Sequence, residues 1–353
     1  MSMPLCAWVS AAYSSRMRFR ARCWFRAALV FTLTLVLFTA ALGDDTTATI
    51  GIGGLQFQHS RQIRMLSEDL YISPTRVRIH FTFMNVSTSP IETVIAFPLP
   101  NLDQAEWYNT TIGSTTGDPV NFIGFKTIVD GEPVGLKVER RAANRRGCDV
   151  TRLLRRYHVP LNPMVRAGGD PLKALPTLTV RALVDAHLLS DSSEKMPMWT
   201  VSTRFWWRQK FEPGKTVTID QSYQPITGEY YDYRVGNEVQ ALSALKNDIH
   251  ADVCPNASTF AALKRKFAAT PVCKTGLCKD SYIHFYTTEY VLTTGNNWDG
   301  PIGTFHLILD KLKPANILST CWHGPLAQTG PTTFESTLRN FSPRNDIKIL
   351  VVQ

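Results

Sequence analysis

The sequence predicts a mainly β protein, made of antiparallel β-sandwich-like halves with a helical insertion between them and a short additional helix. Short segments in which apolar and polar residues alternate recur along most of the chain, as in half-buried antiparallel strands. Turn-forming residues separate these segments. Helical spacing of apolar residues replaces the alternation within residues 141–195 and again at 258–268.

The first 43 residues have the organisation of a secretory signal. Five arginines precede the apolar run 27–42, no acidic residue occurs before Asp44, and Ala41 and Gly43 are small residues of the kind that signal peptidases recognise. A retained membrane anchor is the alternative, but the apolar run is shorter than the roughly 20 residues of a spanning helix. We therefore expect cleavage after Gly43 and an exported protein, periplasmic or secreted.

The chain that remains after cleavage is large enough to bury about three quarters of its unfolded surface. The composition, 44% apolar and 19% charged, is that of a globular protein. The net charge of +9 includes the signal arginines, so the mature chain is only mildly basic and no nucleic-acid partner is expected. We expect an N-terminal β-rich part (44–140), a helical Arg-rich insertion (141–195) and a C-terminal β-rich part (196–353), together forming one unit.

The N-terminal β-rich part holds the clearest strand. Apolar and polar residues alternate throughout residues 75–85, which predicts a strand with one buried face. Residues 91–97 are predicted as a second strand that the following prolines stop. A hairpin is predicted over residues 122–140, because Asp130 and Gly131 supply the positive φ angles of a tight turn.

Two helices are predicted in the insertion. Asp149 is placed as the N-cap of the first, whose apolar residues follow at helical spacing until Pro160 and Pro163 end it. Residues 177–189 are the second helical candidate, with Leu178 among its apolar positions.

The insertion also holds the clearest charge imbalance of the chain. Eight arginines and a single acidic residue, Asp149, lie within residues 140–166. Arg152, Arg155 and Arg156 fall off the apolar face of the first predicted helix, where they could meet lipid phosphates, an acidic glycan or an acidic envelope protein. The alternative is a solvated face whose arginines pair with the protein's own carboxylates.

The C-terminal part is predicted to consist of two long hairpins, a short capped helix and a final strand. Turn-forming residues at 212–214 and 295–301 connect the strands of the two hairpins. The first hairpin consists of strands 199–211 and 215–225, and the second of strands 282–294 and 302–310. The capped helix covers residues 258–268, and the final strand covers residues 347–352.

The loop 294–303 is the best-marked candidate for binding. Asn296, Asn297, Trp298 and Asp299 place two amides, an indole and a carboxylate between two predicted strands, where binding groups tend to sit on a rigid scaffold. The alternative is plain turn chemistry, with Trp298 folded back onto the core.

A second set of aromatic residues could line a groove for a sugar or a peptide. The set consists of Trp206, Trp207, Tyr230, Tyr231 and Tyr233. Because side chains alternate along a strand, the two tryptophans point to opposite faces, and at least one is expected in the core.

The sequence contains no recognisable catalytic or metal-binding motif. It lacks an HExxH zinc helix, a GxSxG elbow and a phosphate-binding glycine loop. Glu68 and Asp69 are adjacent carboxylates, interpreted as a polar turn before a strand rather than as an acid–base pair. Cys321 beside His323 is interpreted as a structural cysteine rather than a nucleophile. We expect no cofactor, no metal and no catalytic residue.

Five segments together resemble one bacterial family. They are GGLQF at 53–57, IRMLSEDLYISPTRVRIHFTFMN at 63–85, IAFPLPNLD at 95–103, PLNPM at 160–164 and VLTTGNNWDGPIGTFHLILDK at 291–311. Over essentially the whole mature chain, the sequence is similar to the exported family described as domain of unknown function 4424. The resemblance implies a bacterial envelope or secreted protein and agrees with the β-rich prediction. It implies no reaction, since the family has no established activity to carry over.

Five cysteines remain in the mature chain, and outside the cytoplasm they are expected in disulfides with one thiol left over. The resemblance places Cys254 and Cys321 where relatives carry cysteines, and a long-range bridge between them is expected. Cys273 and Cys278 are spaced loosely like metal ligands, but no second pair accompanies them, so a local bridge is expected. Cys148 is then expected to be free.

Together these observations predict a non-catalytic exported binding or assembly module of the bacterial envelope. The alternative is a periplasmic hydrolase with a site between the two β halves. A large cleft with a strongly perturbed carboxylate or histidine would favour the hydrolase, whereas an unbroken core with polar sheet faces would favour the binding module.

Overall fold

Strands dominate the structure, and the predicted mainly β fold class is confirmed. A computed structural model describes residues 46–51, 54–105, 111–112, 116, 118, 120–163, 170–191, 194–235, 237–248, 253–272 and 281–353. Within them nineteen strands form three sheets. The predicted signal segment 1–43 lies outside the described residues, so its cleavage stays a prediction.

The described elements follow one another from strand to strand with few helices between them. The strands are β1 (Thr46–Gly51), β2 (Gly54–Gln58), β3 (Ile63–Ser73), β4 (Arg76–Asn85), β5 (Ile91–Pro98), β6 (Leu102–Asp103), β7 (Thr111–Ile112), β8 (Lys126–Val129), β9 (Glu132–Pro133), β10 (Lys137–Asn144), β11 (Trp199–Phe211), β12 (Thr216–Tyr223), β13 (Thr227–Asp232), β14 (Ile283–Tyr290), β15 (Ile302–Asp310), β16 (Ile317–Thr320), β17 (Ala327–Gln328), β18 (Thr333–Phe341) and β19 (Ile347–Val352). The helices are α1 (Thr151–Arg156), α2 (Thr177–Asp185), α3 (Glu238–Asp248) and α4 (Ala257–Ala269), with a 3₁₀ turn at Thr293–Asn297.

The strands form a six-stranded, an eight-stranded and a five-stranded sheet. The six-stranded sheet has the order β10-β11-β5-β1-β2, with β6 beside β11. The eight-stranded sheet has the order β17-β18-β15-β3-β4-β12-β8-β9, and the five-stranded sheet has the order β16-β19-β14-β13-β7. Among the described strands, β15 and β3 pair in parallel, and the other pairs are antiparallel.

One continuous apolar core joins the three sheets. Phe81 and Phe83 of the eight-stranded sheet, Phe97 and Phe205 of the six-stranded sheet and Ile349 of the five-stranded sheet are all buried in it. Strand β4 alternates between this core and solvent as its sequence predicts. Removing these side chains from water is the main favourable contribution to a fold of this kind.

Smaller cores hold the helices against the sheets. Leu154 of α1 and Leu183 of α2 are buried with Trp199 of β11. The indole N–H of Trp199 donates a 2.8 Å hydrogen bond to the carbonyl of Leu161, which fixes the insertion on the six-stranded sheet. Helices α3 and α4 pack in a similar way on the five-stranded sheet.

The two predicted helices of the insertion exist, but their ends differ from the prediction. Val150, not Asp149, is the N-cap residue of α1, and it makes no side-chain capping bond. Helix α2 ends at Asp185 rather than at residue 189, because His187 has a φ of 55°, which a right-handed helix cannot continue. Leu178 is 82% exposed and does not belong to the buried face.

The short capped helix of the C-terminal part is confirmed as α4. The side chain of its N-cap, Asn256, accepts from the N–H of Thr259, and the Thr259 hydroxyl accepts from the N–H of Asn256 in return. Helix α3 is not among the predicted elements; Ala241 and Leu245 are buried in it, whereas Val239 is exposed. None of the helices in the described part of the chain has the length and apolarity that crossing a membrane requires.

The three predicted hairpins have turns at the expected places, but their strand pairing is largely wrong. Asp130 (φ 49°) and Gly131 (φ 86°) form the predicted turn between β8 and β9, yet the chain then crosses into the six-stranded sheet as β10. Strands β11 and β12 lie in different sheets, and so do β14 and β15. Each of these strands has one apolar face, and crossing to the opposite sheet lets both faces meet in the core.

The cysteine predictions are partly corrected. Cys254 and Cys321 form the expected long-range bridge, with an S–S distance of 2.06 Å and a sequence separation of 67. Cys148 is also disulfide-bonded, so the prediction that it stays free is wrong. An odd number of cysteines means that one thiol stays unpaired, but it does not identify that cysteine. Cys273 and Cys278 lie outside the described residues, and their local bridge stays a prediction.

Candidate functional site

An open groove of about 350 Å³ lies on the outer side of the eight-stranded sheet. Strands β15, β3, β4, β12 and β8 form its floor, and their inward-facing residues are buried in the main core. Because side chains alternate along each strand, the outward residues of these five strands stand together. Two neighbouring rows of polar side chains form most of the lining.

The first row runs across β3, β4, β12 and β8. Tyr71 lies opposite Arg78 in the backbone pairing, and Ser222 lies between Arg78 and Lys126. Neighbouring strands are about 4.8 Å apart, so the backbones of Arg78 and Lys126 are separated by about two strand spacings, roughly 10 Å. The row therefore presents two cations that flank a hydroxyl group.

Tyr71 orders one end of this row. Its hydroxyl donates a 2.8 Å hydrogen bond to Oδ2 of Asp310. Burial, followed by this hydrogen bond, raises the pKa of Tyr71, so the phenol stays protonated and keeps donating. The guanidinium carbon of Arg78 lies 4.4 Å from the centroid of the Tyr71 ring. This cation–π contact orients Arg78 without neutralising its charge.

Arg78 and Lys126 are exposed, and neither forms an ion pair with a carboxylate in the described part of the chain. An arginine offers a planar fork of N–H donors that matches a carboxylate or a phosphate, and a lysine offers a compact charge. The Ser222 hydroxyl between them is a further donor. This row is therefore suited to bind an anion.

The second row has its own charge pairing. Nδ1 of His80 lies 2.7 Å from Oδ1 of Asp220, and Nδ1 of His306 lies 3.3 Å from Oδ1 of Asp69. Nε2 of His306 also lies 3.2 Å from Oε2 of Glu335. Hydrogen bonds from Thr329 and His306 lower the pKa of Glu335. The carboxylates of Asp69, Asp220 and Glu335 thus have partners inside the protein.

The second row contains histidines, which in other proteins serve as metal ligands or as general bases. Among the residues that the structure describes, no three His, Cys, Asp or Glu side chains are placed to hold a metal ion. The contacts of His80 and His306 are with carboxylates, and neither hydrogen-bonds a described serine, threonine or cysteine. A histidine base paired to a nucleophile is therefore absent from the described part of the groove.

In the loop 294–303, the predicted binding candidate, the side chains of Trp298 and Asp299 make contacts within the protein. Trp298 is fully buried, and its ring centroid lies 4.4 Å from that of Phe83 in the main core. Asp299 accepts a 2.7 Å contact from the guanidinium of Arg64. The indole and the carboxylate are therefore engaged within the protein.

The two asparagines of this loop also serve the turn. The side-chain amide of Asn296 donates a 2.6 Å hydrogen bond to the carbonyl of Pro343. The carbonyl of Asn297 accepts a 2.7 Å hydrogen bond from the N–H of Ser60. The side chains of Asn296, Trp298 and Asp299 therefore favour the alternative of turn chemistry, and the backbone of Asn297 is hydrogen-bonded within the fold.

The arginines of the predicted anionic-partner patch lie together on α1, away from the groove. Arg152, Arg155 and Arg156 are all exposed. The acidic residue closest to them in sequence, Asp149, contacts Arg141 instead, at 2.9 Å. The insertion packs on the six-stranded sheet, so this surface is separate from the lining of the groove.

The aromatic residues predicted to share a groove are divided between two sheets. Trp207 is buried in the main core. Trp206 faces the opposite side of β11, where Nζ of Lys137 lies 4.9 Å from its ring. Tyr230 and Tyr231 lie on β13 of the five-stranded sheet, so these aromatics do not form one site.

Tyr231 belongs to a half-buried cluster on β13 and β14. Its ring stacks on His284 at 4.0 Å, and the ring of His284 lies 3.9 Å from that of Tyr286. Oε2 of Glu229 lies 3.2 Å from both Nε2 of His284 and the Tyr231 hydroxyl. Burial lowers the pKa of His284 and, with the charge of Glu229, raises the pKa of Tyr231 to about 12. The neutral imidazole of His284 and the neutral phenol of Tyr231 thus both contact the carboxylate of Glu229.

The sequence contains a signal for part of the groove. Arg78 and His80 occupy alternate positions of the predicted strand 75–85 and are expected to face solvent together. Glu68 and Asp69, interpreted as a turn, lie instead within β3. Glu68 is buried and accepts a 3.1 Å hydrogen bond from Tyr290, whereas Asp69 faces the groove. The turn interpretation fails because the polar pair interrupts the apolar alternation without ending the strand.

Two solved structures show distant similarity to this chain. A crystal structure from Legionella pneumophila, of a protein named as a candidate nutrient-binding protein, is 15% identical with a TM-score of 0.43, over 88% of this chain and 71% of that one. The M1 zinc metallopeptidase from Deinococcus radiodurans is 9% identical with a TM-score of 0.27, over 84% of this chain and 43% of that one. At these TM-scores neither similarity supports a functional conclusion.

The comparison with protein families is more informative. None of the curated proteins matches the chain. The sequence profile of the family described as "Domain of unknown function (DUF4424)" matches residues 43–350, in agreement with the resemblance carried by the five segments. Because the match spans nearly the whole chain, this protein belongs to the DUF4424 family.

Proposed function

We propose that this protein is a non-catalytic binding module of the bacterial cell envelope whose ligand is a small anion held in the groove of the eight-stranded sheet. A carboxylate or phosphate of the ligand lies between Arg78 and Lys126, with the Ser222 hydroxyl as a further donor. One observation supports this most strongly. Both cations line the same groove, and neither has an ion-pair partner among the described residues.

The chemistry of the groove suits a small organic anion. Hydrogen bonds between charged groups are shorter and stronger than those between neutral groups, so the two cations would supply most of the attraction for such a ligand. The ring of Tyr71 and the side chains of Ile128 and Ile308 add apolar surface to the lining. Ligand sites commonly combine apolar walls with a few placed polar groups.

The alternative is a hydrolase with a site between the β halves. A continuous apolar core fills the space between the sheets, which favours the binding module. The cluster of Glu229, His284 and Tyr231 is the strongest candidate for acid–base chemistry, but its rings stack on one another. Turnover of ester or peptide substrates that is lost in a His284→Gln variant would favour the hydrolase.

Thermal unfolding in the presence of small anions tests the proposed function. The panel contains inorganic phosphate, dicarboxylates and sugar phosphates, with neutral analogues as the reference. At least one anion should raise the Tm of the wild type by mass action, and Arg78→Gln and Lys126→Gln should each reduce that shift. Lys215→Gln removes an exposed charge outside the groove and should retain it. Equal shifts in all variants, or none with any anion, would contradict the proposal.

Export is part of the proposal. The arginine-rich flank, the short apolar run and the small residues Ala41 and Gly43 support cleavage by a signal peptidase. The bridge between Cys254 and Cys321 supports it too, because disulfides form and persist mainly outside the cytoplasm. The intact mass of the exported protein should place Asp44 at the N-terminus. A full-length chain in the membrane fraction would contradict cleavage.

A further inference from the structure

A second surface is formed by Arg152, Arg155 and Arg156 on α1, and we call it the arginine face. Residues three and four positions apart lie on the same side of a helix. The opposite side is anchored by Leu154, which is fully buried against the six-stranded sheet. Three guanidinium groups therefore project into solvent from one fixed turn of the chain.

The described carboxylates do not neutralise the arginine face. Asp149 is the single acidic residue within positions 140–166, and its carboxylate contacts Arg141 at 2.9 Å. None of the three arginines forms an ion pair with any residue that the structure describes. The alternative interpretation, in which these arginines pair with the protein's own carboxylates, therefore has no support among the described residues.

Neighbouring positive charge makes an anion more favourable at this face. Burial and then the charge of Arg155 lower the pKa of Arg140, while the carboxylate of Asp118 acts in the opposite sense. Arg140 and Arg155 are therefore close enough to repel each other. Like charges that gather on one surface attract counter-ions, so an anionic partner would relieve this repulsion.

We propose that the arginine face docks the protein onto an anionic phospholipid surface, with its guanidinium groups on lipid phosphates. Leu178, 82% exposed, is the one large apolar side chain exposed in the described part of the insertion. The centre of a protein–protein interface is commonly apolar, and the described residues of this surface form no such patch. A membrane surface needs charge instead, and lipid phosphates accept paired N–H donors from arginine.

Vesicle sedimentation tests the docking surface. The wild type should bind vesicles of phosphatidylglycerol mixed with phosphatidylcholine but not pure phosphatidylcholine, and binding should weaken as salt is added. Replacing Arg152, Arg155 and Arg156 together by Gln should lower the partition coefficient on the order of 100-fold. The Tm of this variant should match the wild type, because the three side chains are exposed.

Two control variants distinguish binding by the arginine face from binding by the overall positive charge of the protein. Replacing Lys215, Arg265 and Arg344 together by Gln removes three exposed charges elsewhere and should leave most of the binding. Replacing the three arginines of the face by Lys should keep binding close to the wild type, because lysine also contacts phosphate as a point charge.

Four results would overturn the proposal. They are no binding of the wild type to anionic vesicles, equal losses in the two Gln variants, a clearly lowered Tm when the arginine face is replaced, or capture of the protein by polyglutamate without binding to vesicles. The last result would identify an acidic polypeptide as the partner.

Discussion

The guanidinium carbon of Arg78 lies 4.4 Å from the centre of the Tyr71 ring, and the Tyr71 hydroxyl donates to Asp310 at 2.8 Å. An aromatic ring on the neighbouring strand therefore orients this arginine, without an acidic partner in the described residues. A side chain that is already ordered loses less freedom when a ligand binds. This arrangement distinguishes Arg78 from an ordinary surface arginine.

The ring of Tyr71 should contribute to ligand affinity. Tyr71→Ala removes the cation–π contact and should weaken binding of the best anion of the panel about two- to fivefold. Tyr71→Phe keeps the ring and should bind like the wild type. Isothermal titration calorimetry measures both constants. Equal losses in the two variants would show that the hydroxyl, not the ring, is what matters.

Trp298 should behave as a core residue rather than a ligand contact. Trp298→Ala should lower the free energy of unfolding by about 3–5 kcal/mol, because its ring packs on Phe83 inside the main core. Asp299→Asn breaks a partly exposed pair with Arg64 and should cost less than about 1 kcal/mol. Urea denaturation measures both. A Trp298→Ala protein as stable as the wild type would contradict this placement.

The bridge between Cys254 and Cys321 should stabilise the fold substantially. It closes a loop with a sequence separation of 67, for which the chain-entropy account gives about 4 kcal/mol. Replacing both cysteines by Ser should lower the free energy of unfolding by about that amount. Peptide mapping without reduction should also find Cys148 in a bridged peptide, and quantitative alkylation of Cys148 would show that it is free after all.

The half-buried imidazole of His284 should make stability depend on pH. Burial lowers its pKa below the usual 6.5, so the unfolded chain takes up this proton before the folded protein does. The stability contributed by the neutral form is present above about pH 6.5 and is lost as the pH falls towards the folded pKa. His284→Gln should therefore lose less stability than the wild type between about pH 7 and about pH 5. Urea denaturation at each pH measures this, and His323→Gln, at an exposed position, should follow the wild type.

Local sequence patterns predict strands well but not their partners. The alternation at 75–85 corresponds to β4 and the final apolar run to β19. The turn at Asp130 and Gly131 has the expected positive φ angles. The same turn residues reverse the chain in two different situations, however. The next strand can pair with the previous one, or it can cross to the opposite sheet. Only the burial of both apolar faces in a shared core decides between these outcomes.

The same limit explains why the sequence predicts the groove only in part. Arg78 and His80 are visible as polar positions of one strand, but Lys126 and Ser222 come beside them through the pairing of β4, β12 and β8. That pairing depends on strands distant in sequence. The loop of Trp298 is ambiguous from sequence for a different reason, since Asn, Asp and Gly serve turns as well as ligands.

Anomalous diffraction from crystals soaked in selenate tests the central claim most directly. Selenate resembles phosphate and sulfate in charge and shape, and its selenium can be located without ambiguity. An anion-binding groove should show a selenium peak between the guanidinium of Arg78 and the ammonium of Lys126, and the peak should disappear in the double variant Arg78→Gln, Lys126→Gln. Selenate bound elsewhere, with none in the groove, would contradict the claim.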